Sequence, residues 1–195
     1  MGDAPTIILA SASPRRRELL TMLGIPFRMV APEVDEALQR SESAEAYVIR
    51  LACEKARTVA GREPGAVVLA GDTTVVLRGR MFGKPESPAE AIEMLRQLGG
   101  RTHQVLTAVA VARDARLEHA LDVTDVTFRT LPQPMIEAYV ATGEPLDKAG
   151  AYAIQGKGAA LVEGIRGDFF GVMGLPVRLA LELLDRFGVP YGFTR

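Results

Sequence analysis

The chain has 195 residues, with 23 Lys and Arg against 24 Asp and Glu and a net charge of −1, so it carries no general basic surface for nucleic acid or an acidic membrane. One cysteine, Cys53, excludes an internal disulfide framework and fits a reducing compartment, and two histidines are too few for a histidine-rich metal centre. No apolar run reaches the length of a membrane span and the N-terminus lacks a basic-then-apolar leader, so the expectation is a soluble cytoplasmic protein of one domain or two closely joined lobes.

Ile7 to Ala10 is a short apolar run of strand type. In the "SASPRRRELL" that follows, Ser13 stands where an N-cap belongs and Pro14 takes the first helical position, where its missing N–H costs nothing. Leu19, Leu20 and Leu23 give the helix an apolar face, and Gly24 closes it. Arg15, Arg16 and Arg17 then crowd the positive end of the helix dipole, each a mismatch of roughly 0.3–1 kcal/mol at low salt. An anion is expected to compensate. Successive helical residues point about 100° apart, so three arginines cannot grip one phosphate. Ser13, Arg15 and Arg16 are the candidates for binding it, with Arg17 facing solvent.

A strand is expected at Phe27 to Val30, then a helix from Ala44 to Ala60 with an apolar stripe of Val48, Leu51, Ala52 and Val59. Lys55 falls within that stripe and either snorkels to the rim or points into a polar site. Cys53 lies on the flank away from the stripe, with no evident base to activate it. Ala66 to Ala70 is a continuous apolar strand, broken at Gly71-Asp72-Thr73 and resumed from Thr74 to Leu77. "LRGRMFGKP" reads as a hairpin followed by a Gly-Lys turn. "SPAEAIEMLRQLGG" reads as a helix with Ser87 as cap, Pro88 next, Glu90 completing a capping box and Gly99 at the far end. Residues 103–112 and 121–129 alternate as paired strands. Pro134 to Thr142 is a short helix ended by Gly143. A glycine-rich section follows, with a hairpin expected around "EGIRGDFF", and a last helix runs from Val177 to Phe187. Helices and strands interleave without repeats, so the fold class is α/β or mixed α+β.

Asp72 is the most informative residue. It stands at the carboxyl end of a buried strand, where open α/β sheets place ligand sites, and could hold a divalent cation or take a proton from water. Any metal would be a hard cation held by carboxylates. Glu33, Asp35 and Glu36 read as a solvated acidic loop, from which Glu36 joins Asp72 as a metal candidate. Lys84 in "FGKP" and Lys148 in "PLDKAG" are cations beside glycines. No G-x-x-x-x-G-K-[ST] loop, no G-x-S-x-G elbow and no paired metal-ligand histidines occur, which excludes P-loop and serine-elbow chemistry.

Seven motifs occur in an order that resembles the Maf family of nucleoside triphosphate pyrophosphatases, also called septum-formation inhibitor proteins. They are "LASASPRRRELL", "EKA" at 54–56, "AGDTTVV", "GKP", "GRTHQVLTAVAV", "EPLDKAGAYAIQG" and "GDFFGVMGLP". The resemblance runs from about Ile7 to Phe187 and implies a single domain over 1–195. It implies a two-lobed mixed sheet flanked by helices with a deep central groove, similar to inosine triphosphate pyrophosphatases. It also implies hydrolysis between the α- and β-phosphates with Mg²⁺ or Mn²⁺, and a homodimer. Asp72 matches the family's proton acceptor; Arg15, Thr73 and Gln155 match positions linked to substrate choice. Lys55, Lys84 and Lys148 become phosphate or site-wall residues. The Asp-Thr pair with "AYAIQG" resembles the branch that hydrolyses dTTP and UTP. The chain departs from the family in reading "AGDTT" for "GADT", and in Phe169 and Phe170 where some members carry tyrosine. Two other readings stay open: a hydrolase of non-canonical purine or 7-methyl-GTP nucleotides, and a non-catalytic protein that inhibits cell division by binding a partner.

Overall fold

The computed structural model describes residues 5–193. In chain order the elements are β1 (Ile7–Ala10), α1 (Pro14–Met22), β2 (Arg28–Met29), α2 (Ala44–Ala60), β3 (Val67–Leu77), β4 (Arg80–Phe82), α3 (Pro88–Leu98), β5 (Thr102–Arg113), β6 (Arg116–Phe128), α4 (Gln133–Ala141), β7 (Val162–Arg166), α5 (Phe169–Met173) and α6 (Val177–Arg186). Short 3₁₀ turns at Glu144–Asp147, Ala149–Ala151 and Gly156–Leu161 fill the span between α4 and β7. Among the described residues the strands form one open mixed sheet in the order β2-β1-β3-β5-β6-β7, with β4 paired to β3 off that path. The α/β expectation holds.

The chain divides into two compact units. The first comprises the chain up to Asp72, Thr107–Asp122 and the chain from Gly174; the second comprises Thr73–Leu106 and Val123–Met173. In the first, the wholly buried β1 runs parallel to β3 from Ile7↔Val67 to Ala10↔Ala70. Val48, Leu51, Ala52 and Val59 of α2 are buried as their spacing requires. Cys53 is buried too, against the expectation of a flank position, and burial raises its thiol pKa, which makes it inert. The second unit is cored by residues such as Leu95, Leu98, Phe128, Ile136 and Leu161.

Several expectations change. β3 does not break at Gly71-Asp72-Thr73 but runs unbroken from Val67 to Leu77, so Asp72 lies within a strand and not at its end. Pairing with parallel β1 on one stretch and antiparallel β4 on the next carries the strand through residues that favour a turn in isolation. Gly71 is needed there for space: a Cβ would sit 3.1 Å from the Ala108 carbonyl oxygen and 3.3 Å from the Arg16 Nε. The β3–β4 hairpin is as expected, with positive φ at both Arg78 and Gly79, the requirement of a type I′ turn. No hairpin forms around "EGIRGDFF". β7 pairs antiparallel with β6, and the chain then turns into α5, whose first amides, of Phe170 and Gly171, donate to the Asp168 carboxylate at 2.8 and 3.1 Å. Ser87 caps α3 through the Glu90 amide, but the Glu90 carboxylate reaches the Glu86 amide instead of completing the reciprocal box.

One buried histidine predicts a pH dependence of folding. His103 on β5 is 2 % exposed, packs edge-on to Phe128 and Tyr152, and shares a 2.8 Å hydrogen bond with the Tyr152 hydroxyl. Burial pushes its pKa down from 6.5 to about 4. Below pH 6.5 the unfolded chain takes up a proton that the folded chain refuses, so stability is lost as pH falls from 6.5 toward 4. At pH 4.5 this one group is expected to cost about 2–3 kcal/mol. Denaturant titrations at pH 7 and 4.5 check it: the fall must be smaller by that amount in His103→Gln, and an equal fall in both proteins would exclude His103 as its source.

Candidate active site

The first unit assembles a compact ionic cluster. The register that buries Val48, Leu51, Ala52 and Val59 also carries Lys55 inward, leaving it 7 % exposed. It does not snorkel. Its Nζ donates to Asp72 Oδ1 at 2.7 Å and lies 2.6 Å from Glu36 Oε1. Burial raises the Asp72 pKa above the usual carboxylate value, against the opposing charges of Lys55 and Arg16. A buried carboxylate with a raised pKa inside a ring of cations is suited to accepting a proton.

Glu36 is not simply part of a solvated loop. Glu33, Asp35 and Glu36 are all exposed, with Glu33 3.3 Å from Arg62, but the Glu36 carboxylate reaches Lys55. Two residues of α2 that the sequence reading missed fix this loop. The Tyr47 hydroxyl donates to the Glu36 carbonyl at 3.0 Å. Arg50 grips both Glu42 oxygens at 2.6 and 2.8 Å and reaches the Ala37 carbonyl at 3.1 Å. Tyr47 lies one turn before Leu51 on the same helix, a spacing that could have found it, whereas Arg50 carries no such signal.

The three arginines divide their tasks. Arg17 is exposed, as expected. Arg16 is buried; its Nε donates to the Gly174 carbonyl at 2.7 Å and its guanidinium to the Ser11 hydroxyl at 3.3 Å. Burial and Arg15 lower the Arg16 pKa, while Asp72 and Glu36 oppose them. Arg15 is half-buried beside it. Ser13 occupies the N-cap position but its side chain makes no capping bond, and its amide donates to Ser11 Oγ at 3.1 Å. Arg16 therefore supports the fold as well as being a candidate for the anion, because truncating it strands a buried carbonyl. Arg16→Ala is expected to cost about 2 kcal/mol of apo stability. Arg15→Ala, which relieves one mismatch with the helix dipole, should cost less stability than Arg16→Ala and raise KM for a triphosphate about tenfold or more. Thermal unfolding and kinetics on the two variants check the contrast, and equal stability losses would contradict it.

In the second unit Thr73 is half-buried and Lys84 exposed. The Gly150 amide donates to the Gly83 carbonyl at 3.0 Å, which ties the "FGKP" turn to the "DKAG" segment. Lys148 Nζ donates to the Glu144 carbonyl at 2.6 Å and to Asp147 Oδ1 at 2.5 Å. Gln155 is half-buried, and its Oε1 is buried without a hydrogen-bond partner.

Asp72 and Glu36 suit a hard cation. Both are oxygen donors, but the point on which they converge is filled by the Lys55 ammonium, so a cation would lie beside Lys55 and not in its place. Among the described residues no group of three or more His, Cys, Asp or Glu side chains could hold a metal, so a cation here would rest on two carboxylates and on oxygens of the substrate, the usual habit of Mg²⁺. No helix of the described residues is long and apolar enough to cross a membrane.

The described strands form a seven-strand mixed sheet, Lys55 and Asp72 make a buried ion pair, and comparison with known proteins supplies the class. The fold resembles that of the Staphylococcus aureus Ham1 protein, with a TM-score of 0.50 at 16 % identity over 93 % of this chain and 97 % of that one. A family model described as Maf-like protein matches residues 6–187. The chain is 56 % identical over 187 residues to the dTTP/UTP pyrophosphatase of Moorella thermoacetica, spanning 94 % of this chain and 95 % of that protein. It is 54 % identical over 190 residues to the dTTP/UTP pyrophosphatase of Myxococcus xanthus, spanning 97 % and 96 %. The chain belongs to the Maf family.

Proposed function

We propose that this protein is a nucleoside triphosphate diphosphatase that hydrolyses dTTP and UTP to the nucleoside monophosphate and pyrophosphate. The observation that carries the reading is the likeness, above half identity and along nearly the whole chain, to relatives named dTTP/UTP pyrophosphatase. The Asp72–Lys55–Glu36 cluster supports it chemically.

Asp72 accepts a proton from the water that attacks phosphorus, burial raising its pKa and with it its basicity. Lys55 holds Asp72 in place and offsets the local negative charge. Arg15, the start of α1 with Ser13, and the lysines 84 and 148 neutralise the triphosphate, with Arg16 bracing that helix start. Thr73 and Gln155 meet the nucleoside. Asp72 and Glu36 would hold Mg²⁺ or Mn²⁺, which when bound polarises phosphoryl oxygens and spreads their charge. The chain acts as a single Maf-like domain, as a cytoplasmic homodimer, without nucleic acid; residues 1–4 and 194–195 of that domain lie outside the described ones.

The test is a ranking of kcat/KM over dTTP, UTP, CTP, dITP, XTP and 7-methyl-GTP with Mg²⁺ or Mn²⁺. Preference for dTTP and UTP, with pyrophosphate released, is the expected result. A purine or 7-methyl-GTP at the head of the ranking would favour the housecleaning reading. No pyrophosphate from any triphosphate would favour a non-catalytic role in cell division.

A further inference from the structure

Glu144 opens a 3₁₀ turn of the second unit, eleven residues before Gln155, and its side chain spans that interval. The Lys157 and Gly158 amides donate to its two carboxylate oxygens at 3.1 and 2.9 Å, and the Tyr139 hydroxyl adds a third bond at 3.0 Å. Burial alone would raise the Glu144 pKa, but the Gly158 and Lys157 amides and the Tyr139 hydroxyl outweigh it and hold it lowered. The carboxylate is ionised and fully engaged.

Those two amides open the 3₁₀ segment Gly156–Leu161, whose N-cap residue is Gln155. A Ser, Thr, Asp or Asn at a cap ordinarily spends its side-chain oxygen on such amides. Gln155 makes no capping bond. Glu144 supplies the acceptor instead, from a different part of the chain. The backbone is shaped for this: Gly156 has φ +71°, and a Cβ there would lie 2.8 Å from Glu144 Oε2. At Gly158 a Cβ would lie 2.6 Å from the Tyr139 hydroxyl that donates to the same carboxylate. The result is a Gln155 amide released from local work, with a buried Oε1 that no protein group satisfies. A buried acceptor left open in this way costs free energy until something donates to it. Thymine and uracil both carry an N3–H donor between two carbonyls, which matches a glutamine amide.

We propose that Glu144 is a positioning residue for substrate recognition: by capping the Gly156–Leu161 turn in place of Gln155, it holds the Gln155 amide free to hydrogen-bond the nucleotide. The proposal rests on the pyrophosphatase reading and on Gln155 meeting the nucleoside. Because it acts through Gln155, its signature is coupling between the two residues, which a merely structural glutamate would not produce.

The experiment is a double-mutant cycle of Glu144→Gln and Gln155→Ala, with kcat and KM for dTTP measured on each protein. Glu144→Gln keeps the side chain's size but turns one acceptor into an amide that faces an N–H. It is expected to raise KM about tenfold while kcat changes by less than about threefold, as loss of contacts remote from the reacting phosphates predicts. The double variant should have the KM of Gln155→Ala alone. If the two effects multiply, Glu144 acts independently of Gln155 and the proposal is overturned. If Gln155→Ala raises KM and Glu144→Gln does not, the proposal falls while the pyrophosphatase reading stands. If the wild type hydrolyses neither dTTP nor UTP, the reading falls first and takes the proposal with it. Should Glu144→Gln fail to fold, Glu144→Asp, which keeps the charge and withdraws it by one methylene, enters the same cycle with the same criteria.

Discussion

Asp72→Asn is expected to lower kcat for dTTP by roughly 10²–10⁴, the usual contribution of a positioned general base. Asparagine keeps the shape of the side chain but cannot accept the proton. The position sharpens the expectation. Asp72 is within β3, 8 % exposed and 2.7 Å from Lys55 Nζ, so its carboxylate cannot be replaced by solvent. Burial raises its pKa, so the wild-type acid limb of kcat/KM should lie above the ordinary carboxylate range, and that limb should vanish in the variant. The fold should survive. Lys55 keeps Glu36 as a partner at 2.6 Å, so the ammonium is not stranded. Raising Mn²⁺ separates two roles for the same carboxylate: recovery of rate would mark Asp72 as chiefly a metal ligand, and no recovery marks it as the base. Turnover near that of the wild type would remove Asp72 from the mechanism.

What could be read in the sequence was local or periodic. The bounds of α2 and the place of Lys55 within its stripe follow from the sequence pattern, though not whether Lys55 snorkels or turns inward, and the Arg78-Gly79 hairpin follows from turn chemistry. Asp72 stands out because its sequence context reads as the carboxyl end of a buried strand, although the strand in fact runs past it. The hidden features depend on residues far apart in the chain. β3 continues through Gly71-Asp72-Thr73 because β1 and β4 pair with it on either side. Arg16 turns inward to a carbonyl 158 residues away, which no helix rule anticipates. The loop carrying Glu36 is ordered by Tyr47 and Arg50, and Glu144 reaches amides thirteen and fourteen residues on. In all but the first case a long polar side chain satisfies a backbone group that local structure leaves open, and that pairing is decided by the tertiary fold.

Lys55→Met should reveal how much of the first unit depends on its ionic cluster. Removing one partner of a buried ion pair typically costs about 3–5 kcal/mol, because the remaining charge stays out of water. Here the partners differ. The Glu36 side chain is 56 % exposed and can remain hydrated, whereas the Asp72 side chain is 12 % exposed and cannot. The cost therefore falls on Asp72. Its pKa is already raised by burial, and Lys55 is the largest influence holding it down, so the variant raises it further. A carboxyl whose folded pKa exceeds its unfolded value destabilises as pH rises between the two, since the unfolded chain releases its proton first. The deficit of Lys55→Met relative to wild type should be small in acid and complete at neutral pH, the reverse of the His103 dependence. The acid limb of any residual activity should move to higher pH. Adding Asp72→Asn removes the stranded charge, so the double variant should regain most of the lost stability while remaining as slow as Asp72→Asn alone. Denaturant titrations of the three variants at pH 5 and 8 measure this directly. A double variant no more stable than Lys55→Met at pH 8 would mean that Lys55 supports the fold through its packing against α2 and β3, and not by compensating the charge of Asp72.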